Sequence, residues 1–266
     1  MIVPDSPYLV CATPRSGSTL LCELLTATGV AGRPQEFFER LYATGRPRQP
    51  REYFESVAEL AVLELLAPSE PGFPESAEGF EQRLQHALRD GATPNGVWAS
   101  KLMWGYLLDF LRRLREREQT AGLKPHEAIA RLLPGVQYVH ARRRDKLAQA
   151  ISLWTAVQTA QWRDEAGEPT THEPVYSYAG IAHLLEQLTQ QDQAWSRWFV
   201  SAGIEPHVVV YEDLVEHRSD VVCRLMRDLQ IDAFGVEIPE PVMRRQSGGR
   251  SVEWAERFEV ERRALV

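Results

Sequence analysis

The chain has 266 residues, of which 44% are hydrophobic and 25% charged, and this ordinary globular composition is enough to form one large core. Its formal net charge of -7 excludes a protein held to nucleic acid by bulk electrostatics, because such binding neutralises many phosphates with Lys and Arg. No stretch approaches the roughly 18 consecutive apolar residues of a membrane span, and the first residues do not resemble a signal peptide. We therefore expect one cytoplasmic domain over residues 1–266, in which any anion site is local.

The three cysteines, Cys11, Cys22 and Cys223, lie within apolar segments. They are odd in number and show neither C-x-x-C nor zinc-ligand spacing. We predict buried free thiols, which suit a reducing cytoplasm.

Four short apolar runs of β-prone residues are each followed by a helical pattern. Small polar residues and then leucines at helical spacing, from Leu20 to Leu25, follow the first run. The helices after the third and fourth runs are expected to begin near Asp145 and Asp213. The predicted strands are residues 8–12, 97–103, 136–140 and 207–211.

Strands that alternate with helices predict parallel βαβ units, and hence a three-layer α/β domain around a central, mainly parallel sheet. Ligands of such sheets collect beyond the carboxyl ends of the strands. Residues 68–78, rich in Pro, Glu, Gly and Ser, are expected to form an exposed loop. Apolar residues recur on one helical face over residues 181–202, and we expect the aromatic residues there to lie in the core.

The small polar residues 12–19 join the first strand to the first helix, where free N–H groups and the helix dipole bind anions. They align with the nucleotide-binding pattern G-x-x-x-x-G-K-[ST], with Gly17 and Thr19 in place. Ala12 and Ser18 replace the first Gly and the Lys. The missing Lys favours a donor less charged than a nucleoside triphosphate, and Arg15 could supply the charge. The alternative is a plain strand-to-helix turn with a Ser N-cap.

A second basic motif, residues 142–144, follows the third strand, and Ser152 lies in the second turn of the next helix. An Arg and a hydroxyl at these positions can converge on one phosphate. The alternative is a solvated basic patch.

Ordered motifs run along nearly the whole chain: Ala12-Thr13-Pro14-Arg15-Ser16-Gly17-Ser18-Thr19, Gly32-Arg33-Pro34-Gln35-Glu36-Phe37-Phe38, Gln49-Pro50-Arg51-Glu52, Pro94-Asn95-Gly96-Val97-Trp98, Lys101-Leu102-Met103-Trp104, Gln149-Ala150-Ile151-Ser152, Ala156-Val157-Gln158-Thr159 and Arg250-Ser251-Val252-Glu253-Trp254. Together they resemble the bacterial trehalose 2-sulfotransferase family. The resemblance implies a P-loop-like sulfotransferase fold and sulfuryl transfer from 3′-phosphoadenosine 5′-phosphosulfate to a carbohydrate hydroxyl. It also makes a homodimer reasonable, and we expect no metal.

The resemblance implies specific roles for residues that would bind the donor. The loop Arg15, Ser16, Gly17, Ser18, Thr19 and Leu20 would hold the 5′-phosphosulfate. Arg143 and Ser152 best match the family's Arg and Ser at the 3′-phosphate, and Arg144 stays an alternative to Arg143. Arg245 and Arg250 are candidates for a basic C-terminal segment near the same phosphate.

The acceptor hydroxyl needs a base. Many sulfotransferases use a His, but none of the seven His residues lies near the first loop or the segment after its helix, whereas Glu36 does. An isolated Glu is usually a solvated surface residue, so the assignment rests on the match to the family's glutamate. Lys101, near a strand end, could neutralise developing charge and ranks second to Arg15; a plain surface Lys is the alternative.

The resemblance also implies an acceptor site, formed by Pro14, Arg33, Pro34, Gln35, Glu36, Phe37, Phe38, Glu39, Arg48 and Tyr53. The trehalose enzymes carry Gln, Glu, Pro and Trp where this chain has Pro14, Arg33, Arg48 and Tyr53. Pro14 offers no side-chain hydrogen bond, and Arg33 reverses a charge. The two gained Arg residues favour an acidic sugar, a sugar phosphate or a glycosylated metabolite; trehalose itself is the alternative.

Two other classes of function compete with this interpretation. A nucleotide-dependent small-molecule kinase is favoured by the loop and opposed by its missing Lys and by the lack of an evident magnesium-binding Asp after a hydrophobic strand. A non-catalytic anion-binding module would bind the nucleotide and transfer nothing.

Overall fold

A computed structural model describes residues 4–162, 173–238 and 249–265. Within these ranges, four strands form one sheet in the order β2-β1-β3-β4, and every neighbouring pair is parallel. The strands are β1 Ser6–Ala12, β2 Val97–Met103, β3 Gln137–Arg142 and β4 His207–Val210. The prediction of an α/β fold with a central, mainly parallel sheet is confirmed.

β1, which precedes the first loop, and its neighbour β2 at the edge of the sheet are almost wholly buried. Every residue of β2 and all but the first residue of β1 are shielded from solvent. Parallel strands buried on both faces read as continuous apolar runs rather than as alternating ones, which is why the sequence pattern located them. At the carboxyl edge of the sheet, Ala12 lies opposite Met103 on one side and Ala141 on the other.

Helices and one 3₁₀ turn connect the strands and follow β4. The helices are α1 Ser18–Ala27, α2 Leu60–Leu63, α3 Ala77–Asp90, α4 Trp104–Arg115, α5 Pro125–Leu132, α6 Lys146–Thr159, α7 Tyr178–Ala202, α8 Tyr211–Glu216, α9 Arg218–Asp228 and α10 Gly249–Ala264, and the 3₁₀ turn is Pro50–Tyr53. Among the described helices, none is both long and apolar enough to cross a membrane.

Several predicted boundaries differ from the structure by one or two residues; β1 begins at Ser6, and β3 ends at Arg142. The exposed loop predicted for residues 68–78 ends earlier, because the Ser76 hydroxyl accepts a hydrogen bond from the Gly79 N–H at 3.0 Å and starts α3 at Ala77. The helix expected near Asp213 begins at Tyr211 instead, directly after β4. Tyr211 is therefore a helix residue and not the end of a strand.

The described residues group into two compact units. The first comprises Met1–Pro47, Gly72–Arg144 and Gln191–Pro241 and contains the sheet. Its core includes the aromatic end of α7, where Trp195 is fully buried and donates its indole N–H to the Ala12 carbonyl at 2.9 Å. The prediction that these aromatic residues form core is confirmed. Cys11 and Cys22 are buried free thiols, as predicted, but Cys223 is half-exposed.

The second unit comprises Arg48–Pro71, Asp145–Gln190 and Val242–Val266. Trp154 on α6 anchors its core and donates its indole N–H to the Val175 carbonyl at 2.9 Å. The fully buried members of this core include Phe54, Trp154, Ile181, Leu184 and Phe258. The single domain predicted over residues 1–266 stays a prediction.

Candidate active site

The loop between β1 and α1 has the backbone of an anion-binding turn. Arg15 and Gly17 both have left-handed conformations, with φ of 60° and 85°. The N–H groups in the first turn of α1 have no acceptor within the helix, and the positive end of the helix dipole lies there. The loop therefore offers backbone donors and partial positive charge to an anion.

Tyr211, at the start of α8, packs against this loop. A Cβ atom added to Gly17 would overlap the Tyr211 ring, so the ring lies directly on the Gly17 Cα. The Arg143 guanidinium carbon lies 4.7 Å from the centroid of the same ring, and Arg143 Nη1 donates to the Arg15 carbonyl at 3.4 Å. One aromatic ring thus contacts both basic elements that the sequence proposed for phosphate.

Two buried polar atoms at the loop are suited to an anion. Ser16 Oγ and Arg143 Nε are shielded from solvent, and neither has a hydrogen-bond partner among the described residues. A buried polar group without a partner costs about 1–3 kcal/mol, and the oxygen atoms of a bound phosphate would satisfy both. The residues present therefore fit a phosphate-bearing donor.

Lys101 connects the loop to the predicted base. It lies on β2, two residues before the strand ends, and its side chain is 4% exposed. Its Nζ lies 2.5 Å from Glu36 Oε1 and 3.1 Å from Thr19 Oγ1. The carboxylate of Glu36 and the anion loop are therefore within reach of one buried ammonium group.

The segment that carries Glu36 runs along the outer edge of β2. The Gln35 carbonyl accepts from the Lys101 N–H at 2.9 Å and from Ser100 Oγ at 3.1 Å, and Gln35 forms a single parallel bridge with Ser100. Phe37 and Phe38 follow and are buried in the first core. Glu36 is thus followed directly by two buried aromatic residues, and Glu36 itself is half-buried.

The Cys22 thiol is a structural neighbour of this site. Burial raises the pKa of Cys22 to about 12, the Lys101 ammonium lowers it less strongly, and the Glu36 and Glu23 carboxylates raise it further. A thiol with this pKa stays neutral and is a poor nucleophile. Cys22 therefore packs beside the site and takes no chemical part.

The remaining predicted residues of the first unit surround the loop and its neighbouring segment. Ser18 is buried and Leu20 packs against the core, whereas Pro14 and Glu39 are half-buried and Arg33 and Gln35 are exposed. Arg144 donates from Nη2 to Asp213 at 2.6 Å, and its backbone N–H donates to Glu212. Arg143 contacts the loop and Arg144 forms ion pairs elsewhere, so the two candidates are distinct in position.

Other predicted residues belong to the second unit. Ser152 is on α6, and the Arg48 guanidinium carbon lies 5.4 Å from the centroid of the Tyr53 ring, which also stacks on Trp162. Arg250 is the second residue of α10 and pairs with Glu173 at 3.2 Å. Arg245 lies outside the described residues. The shared phosphate site of Arg143 and Ser152 stays a prediction.

Sequence reasoning missed two features of the site. Tyr211 was included in a predicted strand, although its place directly after the fourth strand put it at the ligand-binding edge of the sheet. Asp192 on α7 was also missed; it accepts from Arg142 Nη2 at 2.8 Å and from Arg142 Nε at 3.2 Å. This ion pair holds the end of β3, directly before Arg143.

Each strand of the sheet thus contributes to one edge: β1 the loop, β2 Lys101, β3 Arg143 and β4 Tyr211. The fold and this edge define a P-loop-like α/β protein with a loop suited to an anionic group beside a carboxylate. Residues 7–261 match the family model described as Stf0 sulphotransferase. The chain belongs to this family and is a sulfotransferase, as the resemblance implied.

Two relatives extend over almost the full chain. A trehalose 2-sulfotransferase of Mycobacterium tuberculosis (strain Erdman) is 39% identical over 96% of this chain and 95% of the relative. A trehalose 2-sulfotransferase of Mycolicibacterium smegmatis is 38% identical over 94% and 93%. Among solved structures, a sulfotransferase domain from the curacin biosynthetic pathway matches with a TM-score of 0.48 and 18% identity, over 94% of this chain and 83% of that chain.

Proposed function

We propose that the protein transfers a sulfuryl group from 3′-phosphoadenosine 5′-phosphosulfate to a hydroxyl of a carbohydrate, with Glu36 as general base. The acceptor oxygen attacks sulfur, Glu36 takes the hydroxyl proton, and the bond between sulfur and the phosphate oxygen breaks. The products are a sulfate ester and adenosine 3′,5′-bisphosphate. Membership of the sulphotransferase family and the names of the two relatives support the reaction class.

The observation that carries the assignment of Glu36 is its ion pair with Lys101. Lys101 Nζ contacts both Glu36 Oε1 and the hydroxyl of Thr19, which lies in the first turn of α1. A base must lie within hydrogen-bond reach of the proton that it removes, so a carboxylate next to the donor loop is suitably located. Among the described residues, the Glu36 carboxylate forms an ion pair with Lys101.

The other residues of the loop would act on the charge of the donor. Arg15 and the backbone N–H groups of Ser18 and Thr19 would hold the phosphosulfate, and Lys101 would stabilise the charge that develops on the leaving phosphate oxygen. Arg143 would bind the 3′-phosphate. The unpartnered Nε of Arg143 and the unpartnered hydroxyl of Ser16 support these roles.

Ligand binding tests the donor without knowledge of the acceptor. We expect adenosine 3′,5′-bisphosphate to raise the unfolding temperature in the absence of magnesium, because a ligand that binds only the folded state stabilises it. Stabilisation by ATP that requires magnesium, with no response to the bisphosphate, would favour the kinase alternative.

Turnover tests the base. Glu36→Gln is nearly isosteric but cannot accept a proton, so we expect turnover to fall by about 10² or more with nearly unchanged affinity for the bisphosphate. Glu39→Gln, three residues further along the same segment, is the matched control and should keep its turnover. Wild-type turnover by Glu36→Gln would remove Glu36 as the base.

We further propose that the acceptor carries a carboxylate or a phosphate. Support comes from Arg33, which is exposed three residues before Glu36, and from Arg48, whose guanidinium is held over Tyr53. Guanidinium groups bind planar and tetrahedral anions by paired hydrogen bonds. Trehalose, named for both relatives, is the competing acceptor.

Mass spectrometry of products after incubation with the donor distinguishes the two acceptors. We expect trehalose 6-phosphate, glucose 6-phosphate or glucuronate to be sulfated faster than trehalose. Efficient, saturable sulfation of trehalose at its 2-hydroxyl would refute the anionic acceptor. Binding of the bisphosphate with no sulfated product from any of these sugars would favour a non-catalytic module.

A further inference from the structure

We propose that Arg83, on α3, is a positioning residue that sets the location of the Glu36 carboxylate through the main chain of Phe37. The inference rests on the proposed role of Glu36 as base. It assigns a function to a residue 47 positions away in the sequence that contacts neither the anion loop nor the Glu36 side chain among the described contacts.

The guanidinium of Arg83 divides its donors between two partners. Nη1 donates to the Phe37 carbonyl at 3.0 Å. Nε donates to Glu75 Oε1 at 3.0 Å, and Nη2 donates to Glu75 Oε2. Both side chains are shielded, with 14% of Arg83 and 10% of Glu75 exposed. The paired contact with Glu75 fixes the plane of the guanidinium and therefore the direction of the third donor.

Glu36 consequently lies between two anchored carbonyl groups. On its N-terminal side, the Gln35 carbonyl is held by the Lys101 N–H and by Ser100 Oγ. On its C-terminal side, the Phe37 carbonyl is held by Arg83. The first anchor belongs to the sheet and the second to a helix. The loss of Arg83 would therefore free the Phe37 carbonyl, in the second peptide unit after Glu36, while the Gln35 carbonyl stays attached to β2.

Arg is suited to this role by its shape as well as its charge. Its guanidinium carbon lies 5.2 Å from the centroid of the Phe80 ring and 5.9 Å from that of Phe38, so the cation lies near two aromatic rings while its N–H groups donate hydrogen bonds. A Lys at this position would keep the charge. Its single nitrogen could not reproduce the fixed fork that serves Glu75 and Phe37 together.

Arg117 provides a matched comparison. Its guanidinium pairs with Glu81, which lies on α3 together with Arg83. The contacts run through Nε at 2.5 Å and Nη2 at 3.3 Å, and the Arg117 side chain is 9% exposed. The described hydrogen bonds of the Arg117 side chain go to Glu81 and not to the segment that carries Glu36. Arg83 and Arg117 thus share burial and an ion pair with a Glu, and they differ in the Phe37 contact.

The test compares Arg83→Met, Arg83→Lys and Arg117→Met in steady-state assays with trehalose 6-phosphate or trehalose, whichever turns over faster. A shift of about 1 Å at a reacting group can lower the rate by about 10², so we expect both Arg83 variants to lose at least about tenfold in kcat. Donor KM and bisphosphate affinity should stay within about twofold of wild type, because the anion loop is untouched. Arg117→Met should keep its kcat.

A double variant separates positioning from general destabilisation. If Arg83 acts through Glu36, Arg83→Met should add no further loss of kcat to Glu36→Gln, since coupled residues are not additive. An additive loss of kcat in the double variant would overturn the proposal. Equal kcat values for Arg83→Met and Arg117→Met would also overturn it if Glu36→Gln is inactive. Full turnover by Glu36→Gln would instead overturn the base assignment and this proposal with it. If Arg83→Met does not fold, Arg83→Lys decides by the same criteria.

Discussion

Gly17→Ala tests whether Tyr211 supports the anion loop. An L-residue in the left-handed region costs about 1–2 kcal/mol, and Gly17 has a φ of 85°. A Cβ at this position would also overlap the Tyr211 ring, with Tyr211 Cγ at 3.0 Å and Cε2 at 3.1 Å. The ring would have to move, and Arg143, which packs on it, would move with it.

Gly29→Ala is the matched control. Gly29 follows α1 and also has a left-handed backbone, with a φ of 70°, but no atom lies within 4 Å of an added Cβ. Gly29→Ala therefore introduces the same kind of backbone strain without a clash with a neighbouring side chain. We expect both variants to lose similar stability from strain, and Gly17→Ala alone to disturb the site.

Calorimetric titration with adenosine 3′,5′-bisphosphate measures the effect. We expect Gly17→Ala to bind at least about tenfold more weakly, equivalent to about 1.4 kcal/mol, and Gly29→Ala to bind as wild type does. Removing the ring in Gly17→Ala/Tyr211→Ala should restore part of the lost affinity. Equal affinities for the two single variants would refute the idea that the Tyr211 ring supports the loop.

Three further predictions address the donor, the acceptor and the pH dependence of stability. Arg143→Ala should weaken the binding of adenosine 3′,5′-bisphosphate by about 1.5–3 kcal/mol in calorimetry. The binding of adenosine 5′-phosphosulfate, which lacks the 3′-phosphate, should stay nearly unchanged. Equal losses of affinity for both nucleotides would contradict the assigned role of Arg143. Arg33→Glu should improve kcat/KM for trehalose relative to trehalose 6-phosphate, and an unchanged ratio would place Arg33 outside the acceptor site. Burial raises the pKa of Cys22 from 9.0 to about 12, so the folded state retains a proton that the unfolded chain loses. This contribution to stability is present below about pH 9 and is lost as pH rises toward 12. Urea unfolding should show a shallower loss of stability above pH 9 for Cys22→Ala than for wild type.

The local pattern of the sequence located the strands of the central sheet and the anion loop. Strands buried on both faces are nearly continuous apolar runs, and a strand-to-helix turn suited to an anion needs small residues and a Gly with positive φ. Both requirements act on neighbouring residues, and for this reason Gly17 and the second strand, residues 97–103, could be located from the sequence. Glu36 was different, because an isolated Glu carries no local signal and its assignment depended on the family resemblance.

The tertiary structure alone decided which side chains meet. Lys101 and Thr19 are 82 residues apart and share a hydrogen bond, and Arg83 and Phe37 are 46 apart. The Lys101 contact exists because β1 pairs directly with β2.

The role of Tyr211 depends on the same sheet order. Gly17 and Tyr211 face each other because both follow strands that end at one edge of the sheet, where only β3 lies between β1 and β4. Sheet order reflects the packing free energy of the whole core and not the propensity of any short segment. The sequence therefore identified candidate residues for an anion and an acceptor, and the packing of distant segments decided which of them contact the loop and the segment that carries Glu36.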